Sequence, residues 1–246
     1  MSLRTIAVIP VHGRLPLLAV TIDRLYNRNK VDHVICVGGT SEEAFVCNKH
    51  GAEFLIHKNK PLGRKWNAGY ELAGQYKPDA IVYVGSSDWL SDNWIDITLP
   101  FIGKGYALIG KRDYYILHID KNGSMEAGWW PCYPEGARFD PREFIGIGRV
   151  LGRNFLEPLA WRPFEDTWNS GMDFAMWNRV GLLQKHGLIE KPVYEISGNI
   201  IQSLSISCDS WNNMHSSDVN SDHVRRIEEP EIWLKRWFPE ALTLKI

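Results

Sequence analysis

Two acidic positions and one basic loop carry the chemistry that can be read from residue type and spacing. Asp88 closes the run Gly85-Ser86-Ser87-Asp88, directly after an apolar, strand-like stretch. A carboxylate there can meet a ligand at a strand's carboxyl end, or serve the chain locally as a turn or helix cap. Asp173 follows Gly171-Met172 and opens a helical pattern, where a carboxylate also offsets the helix dipole. Glu165 and Asp166 stand just upstream and can take either part. The segment Lys58-Asn59-Lys60-Pro61-Leu62-Gly63-Arg64-Lys65 leads into a helix and is half basic. Cations at a helix N-terminus favour anions, so a phosphate-bearing ligand is expected near Arg64 and Lys65. A solvated basic loop is the plainer alternative. Pro10-Val11-His12-Gly13-Arg14 and Gly38-Gly39-Thr40 also follow strands, and His12 is placed to reach a base or a phosphate.

Other patterns are weaker. Gly146-Ile147-Gly148-Arg149-Val150-Leu151-Gly152 approaches a dinucleotide fingerprint, but its last glycine is one residue late and no acidic residue on a following strand supports it. Asp209, His215, Asp218, Asp222 and His223 crowd one stretch, with spacings that match no zinc or calcium motif. A lone histidine such as His215 commonly has a structural role.

These residues need a frame, and the first 110 positions predict one. Residues 5–9, 34–37, 54–56 and 80–84 are short apolar runs that read as buried strands. Between them, 15–26 and 67–76 have helical spacing, and Thr40-Ser41-Glu42-Glu43 is a capping box opening a short helix. Strands alternating with helices at this length indicate a mainly parallel sheet covered on both faces. The second half is less regular. Tyr106–Gly110 and Tyr114–Ile119 read as paired strands, residues 121–143 as a loop with a turn at Asn122-Gly123-Ser124, and 193–206 as strand-like. Gly152–Leu159, Met172–Lys185 and Pro230–Trp237 read as helices, the last with proline in its first turn.

Composition narrows the class. The chain has 246 residues, 44% of them apolar and 23% charged, which suits a folded domain with a sizeable core. With 28 basic against 29 acidic residues and no long basic stripe, a nucleic-acid partner is not expected. No run approaches a membrane span. Four scattered cysteines without a Cys-x-x-Cys pair, and an N-terminus without a signal pattern, read as a cytoplasmic protein with reduced thiols. The 11 tryptophans are expected mostly as core volume, with a few as flat platforms for a sugar or a base.

The order of segments resembles family 2 glycosyltransferases with the GT-A fold. Ile6–Arg14 with Leu17-Leu18 is similar to that family's opening, and Pro61–Gly69 to its glycine-containing loop leading into Asn-x-Gly. Val82–Leu90 stands where the family carries its Asp-x-Asp-type motif. Gly146–Arg153, Arg162–Asp166 and Gly171-Met172-Asp173 are similar to its acceptor-side half. The resemblance covers roughly residues 4–180. It implies an α/β, GT-A-like domain over 1–218, with a nucleotide-sugar half at 1–110, an acceptor half at 111–218, and a helical extension at 219–246. It implies a nucleotide-sugar donor, a UDP-sugar first, and a carbohydrate or other hydroxyl acceptor. Asp173 would be the general base of an inverting reaction. Pro10, Val11, His12, Arg14, Gly39, Arg64, Lys65, Ser87 and Asp88 would bind the donor, with Arg64 and Lys65 facing the diphosphate. Asp88 and His215 would hold a divalent cation, Mn²⁺ or Mg²⁺.

The chain departs from that pattern at three places. Gly38-Gly39 replaces the family's acidic pair, Gly85-Ser86-Ser87-Asp88 keeps only the last carboxylate of its motif, and Trp66 stands where many members have Arg or Leu. Neutral serine oxygens hold a hard cation more weakly than carboxylates. The alternatives are therefore a sugar nucleotidyltransferase and a non-catalytic nucleotide- or sugar-binding module.

Overall fold

The computed structural model describes residues 3–120, 122–132, 143–208 and 223–244. Its chain begins with the expected alternation: β1 (Thr5–Pro10), α1 (Leu15–Asn27), β2 (His33–Gly38), α2 (Ser41–Lys49), β3 (Glu53–Ile56), α3 (Leu62–Gln75) and β4 (Ala80–Tyr83). Strands β1 to β4 pair in parallel, with Val8 opposite both Ile35 and Tyr83. Period-two alternation sends Ile6 and Val8 to one apolar layer, with Trp66, Tyr70 and Met176. Ala7 and Ile9 go to the other, with Leu18, Ile22 and Trp94. Both faces are covered, which explains the unbroken apolar runs. The capping box forms: Thr40 Oγ1 accepts from Glu43 N at 3.2 Å while the Glu43 carboxylate reaches back to Thr40 N.

The chain continues through β5 (Asp88–Leu90), α4 (Trp94–Gly103), β6 (Tyr106–Gly110), β7 (Tyr114–Ile119), β8 (Met125–Trp130), β9 (Val150–Gly152), α5 (Arg153–Leu156), α6 (Met172–Lys185), β10 (Lys191–Glu195), β11 (Ser203–Cys208), β12 (Arg225–Ile227) and α7 (Pro230–Trp237). The main sheet has seven strands in the order β10-β6-β9-β4-β1-β2-β3, in which β9 alone runs antiparallel to its neighbours. A second sheet has the order β12-β8-β7-β11-β5. It packs Leu117, Leu204 and Ile206 against Leu17, Trp89, and Leu234 and Phe238 from the C-terminal segment.

Three expectations change. Strands β6 and β7 do not pair with each other: β6 lies between β9 and β10, and β7 between β8 and β11. Lys111, 1% exposed, marks the crossing by donating to Ile201 O at 2.9 Å and standing 3.2 Å from Asp113. Two adjacent apolar runs look alike whether they pair together or with distant strands. Residues 125–130, read as loop, form β8, with Tyr115 opposite Trp129. Its Gly and Trp residues hide the alternation, whereas the turn at Asn122-Gly123 forms as expected, with Gly123 at φ +82. The single strand expected over 193–206 is two, one in each sheet. The near-fingerprint at Gly146–Gly152 ends in the short strand β9, and its last glycine caps the one-turn helix α5. Of the described tryptophans, Trp66, Trp89 and Trp94 are fully buried, and Trp161, Trp168, Trp177, Trp233 and Trp237 are partly buried against the apolar clusters, so most serve as core volume as expected.

Candidate active site

At the carboxyl ends of β1 and β4 the two sheets meet around a cavity of about 380 Å³. Its lining includes Pro10, Arg14, Tyr83, Gly85, Ser86, Ser87, Asp88, Tyr114, Trp130, Gly146, Asp173 and Ser205. Parallel sheets bind ligands at this edge because strand ends and helix N-termini converge there. A larger cavity, about 610 Å³, lies on the far side of α1 around Arg24 and Glu240, whose ion pair at 2.6 Å has a structural role.

Asp88 is held from two directions. Oδ2 accepts from Gly85 N at 2.9 Å and Oδ1 from the Ser205 hydroxyl at 3.0 Å. A Cβ on Gly85 would overlap that carboxylate, so the glycine is needed for the turn to close. Arg14 caps α1 in a left-handed conformation, φ 54, just after Gly13 at φ +65. That tight turn swings its guanidinium across the cavity, where Nη1 donates to Ser87 Oγ at 2.7 Å.

Asp173 enters from the other wall. Gly171, at φ +74, starts α6 and leaves Asp173 in its first turn. Gly146 N donates to Oδ2 at 3.1 Å, and Arg149 Nη2 stands 3.4 Å from Oδ1. Arg149 is 1% exposed and also donates to the carbonyls of Phe144 and Ile145, tying this loop to the helix that carries Asp173. A Cβ at Gly146 would lie 2.9 Å from both Asp173 Oδ1 and the Tyr83 ring. Tyr83 stacks on Trp66 with centroids 4.0 Å apart, and burial followed by the Asp173 charge raises its phenol well above the ordinary range.

Thus Pro10, Arg14, Ser87, Asp88 and Asp173 share one cavity. The other residues expected on the donor side are not among those lining it. Glu43, 3% exposed, accepts from Gly13 N and Gly39 N, both at 2.8 Å, and so ties the loop after β1 to the loop after β2. Gly38 must lack a Cβ because one would lie 2.6 Å from Glu43 Oε2. Lys65 is buried on α3, where Nζ donates to Val11 O and, at 2.9 Å, to Asn59 Oδ1. Burial lowers its ammonium to about 8, with the Glu43 charge opposing the shift. Lys65 therefore supports the loop from beneath, and Val11 is buried over it. His12 and Gly39 are exposed and do not line the cavity. Arg64 points outward, 3.7 Å from Asp166 Oδ2, and is not among the cavity residues. Asp166 also accepts from Arg162 and Asn67, and Glu165 pairs with Arg179, so both upstream carboxylates sit in surface networks. His215 lies outside the described residues, as do Asp209, Asp218 and Asp222.

Sequence reasoning missed Ser205, Arg149, Glu43, Tyr114 and Trp130. Ser203, Ser205 and Ser207 do alternate with Leu204 and Ile206, and a polar face on a buried strand was the available signal. Among the described residues, no three His, Cys, Asp or Glu side chains group as metal ligands. Asp88 is the one carboxylate beside Ser87 and Ser205, and both its oxygens already accept hydrogen bonds. Among the described residues, Asp88 is thus the single carboxylate of that turn that could contribute to a site for Mn²⁺ or Mg²⁺. No helix among them is long and apolar enough to cross a membrane.

No protein-family model and no curated protein matches the sequence. Solved structures do share its fold. The Staphylococcus aureus TarS fragment 1–349 in complex with UDP aligns at TM-score 0.51 and 11% identity, covering 83% of this chain and 60% of that one. Glucosyl-3-phosphoglycerate synthase from Mycobacterium tuberculosis with phosphoglyceric acid gives 0.49 and 12%, covering 88% and 75%. A CMP:2-keto-3-deoxy-manno-octonic acid synthetase complexed with CTP gives 0.44 and 13%, covering 79% and 90%. The chain thus spans three-fifths of the TarS fragment's length. At 10% and 11% identity the two TarS alignments, with TM-scores of 0.50 and 0.51, are a likeness of fold alone, the mixed α/β arrangement of GT-A type.

Proposed function

We propose that the chain is a glycosyltransferase that moves a sugar from a nucleotide-sugar donor to an acceptor hydroxyl, with inversion. The observation that carries this reading is the meeting of Asp88, Arg14 and Asp173 on one cavity at the carboxyl edge of the sheet. Asp173 takes the acceptor's hydroxyl proton while that oxygen attacks the anomeric carbon. The bond from that carbon to the diphosphate breaks as the new one forms. The leaving diphosphate gathers negative charge, and the Arg14 guanidinium is the cation lining the cavity that can meet it. Asp88, oriented by Gly85 and Ser205, holds donor hydroxyls, and Tyr83 with Trp130 supplies aromatic wall. UDP-sugars are the first donors to try, and the cytoplasm the first compartment.

One observation favours a second reading, a binding module without catalysis: a single carboxylate remains where the resemblance implies several. Thermal-shift measurements with UDP, GDP, CDP and dTDP, each with and without Mn²⁺, begin the test. Stabilisation by one nucleotide, followed by transfer from its sugar conjugate, supports the enzyme. Binding without transfer or donor hydrolysis supports the module, and pyrophosphate release from a nucleoside triphosphate would point instead to a nucleotidyltransferase.

A further inference from the structure

Tyr114 and Tyr115 are neighbours on β7 and therefore face opposite sides of the second sheet. Tyr114 lines the candidate active site. Tyr115 lines a separate groove of about 380 Å³, together with Asn199, Gln202, Glu229, Trp233 and Trp237. That volume falls within the range of small-molecule sites, about 300–1,000 Å³. The aromatic part is rigid: Trp233 stacks on Tyr115 with centroids 4.1 Å apart and planes at 27°, and rests against Phe238 at 5.4 Å. The polar part is incomplete. Gln202 is 1% exposed, and its Nε2 donates to Asn199 Oδ1 at 3.1 Å, yet its Oε1 accepts no hydrogen bond. A buried carbonyl oxygen without a donor carries a desolvation cost, and a rotation of the Gln202 amide toward the groove it lines would let a ligand hydroxyl relieve it.

A ligand for this groove must offer an apolar face to indole rings and hydroxyl donors to an amide oxygen and a carboxylate. A hydrocarbon leaves the polar groups of the groove without partners, and an anion meets two carboxylates, Glu228 and Glu229, against the one cation Arg236 among the lining residues. A neutral sugar satisfies both requirements. We propose that this groove is a second carbohydrate-binding site, with Trp233 and Trp237 taking the C–H faces of a sugar ring and Gln202, Asn199 and Glu229 its hydroxyls. The site's chemistry stands apart from the reaction proposed above. Its use rests on that reading: a polymeric acceptor held here is kept at high effective concentration near the cavity.

The test is calorimetric titration of the whole chain with cellohexaose, maltoheptaose, mannohexaose and chitohexaose into the millimolar range. The expected result is binding of at least one probe, weakened about tenfold by Trp237→Ala and measurably by the surface change Glu229→Gln. Asp173→Asn should bind the same probe as the unaltered chain does. Glu229→Gln keeps the test intact should Trp237→Ala fail to fold. Absence of binding by every probe, binding indifferent to both groove variants, or binding lost in Asp173→Asn would each overturn the proposal. Failure of nucleotides to stabilise the chain would strike the catalytic reading alone.

Discussion

The Ser205 hydroxyl donates to Asp88 Oδ1 across 3.0 Å, joining residues that stand opposite each other on β11 and β5 although 117 positions separate them. With Gly85 N on the other oxygen, the described contacts that fix the carboxylate include one local and one distant partner. Half of that arrangement belongs to a turn, and the other half exists only once the second sheet has formed. Replacing Ser205 by Ala should lower stability by about 1 kcal/mol and weaken donor binding by a similar amount, a factor of about five. Parallel urea titrations and nucleotide-binding measurements check both.

Asp173→Asn keeps the acceptor oxygen's neighbour in place but removes the proton acceptor. Transfer should fall by about 10²–10⁴ while donor affinity stays near its original value. A fall in donor affinity with an unchanged transfer rate would remove Asp173 from the role of base.

Lys65 gives a pH dependence whose sign follows from its depressed pKa. The folded group titrates at about 8 rather than 10.5. Below that value both folded and unfolded chains carry the proton. Between about 8 and 10.5 the unfolded chain binds more protons, so this group's contribution to stability rises with pH. The unaltered chain should therefore gain on Lys65→Met across that window. Chemical denaturation of the two proteins at pH 7.5, 9 and 10 reads the difference, and a difference that stays flat would contradict it.

Gly63 lies where α3 meets the segment before α6, its N–H donating to Trp168 O at 2.8 Å. A Cβ there would overlap the backbone oxygen of Glu165, and backbone cannot turn aside as a side chain can. Gly63→Ala should cost about 1–3 kcal/mol or more, visible as a lowered denaturation midpoint. An unchanged midpoint would show that the two segments separate easily.

Features set by neighbouring residues were legible in the sequence. Thr40–Glu43 spells its own cap, and the runs at 5–9, 34–37 and 80–84 are buried on both faces, so their short, unbroken, β-branched apolar character identifies them. The loops after those strands follow, and with them Arg14, Ser87 and Asp88. What depends on distant partners was not legible. Nothing local says that β6 leaves β7 for β9 and β10, or that Ser205 reaches Asp88. Arg64 and Lys65 show the same limit at closer range. They are adjacent on one helix, yet one points to solvent and the other lies beneath the loop after β1. Glu43 was visible as a cap but not as the clamp between two ligand-edge loops, because that second use needs the fold around it.

The order in which the cavity's walls are made has a biosynthetic consequence. Arg14 and Asp88 are translated early, yet β5 pairs with β11, and α7 closes over the same sheet from residues later still. A nascent chain halted before β11 would carry the donor-side loops with Asp88 lacking its Ser205 contact. On the proposed reading, donor binding should therefore appear late in synthesis and abruptly, and a chain truncated before β11 should bind donor more weakly than the whole chain.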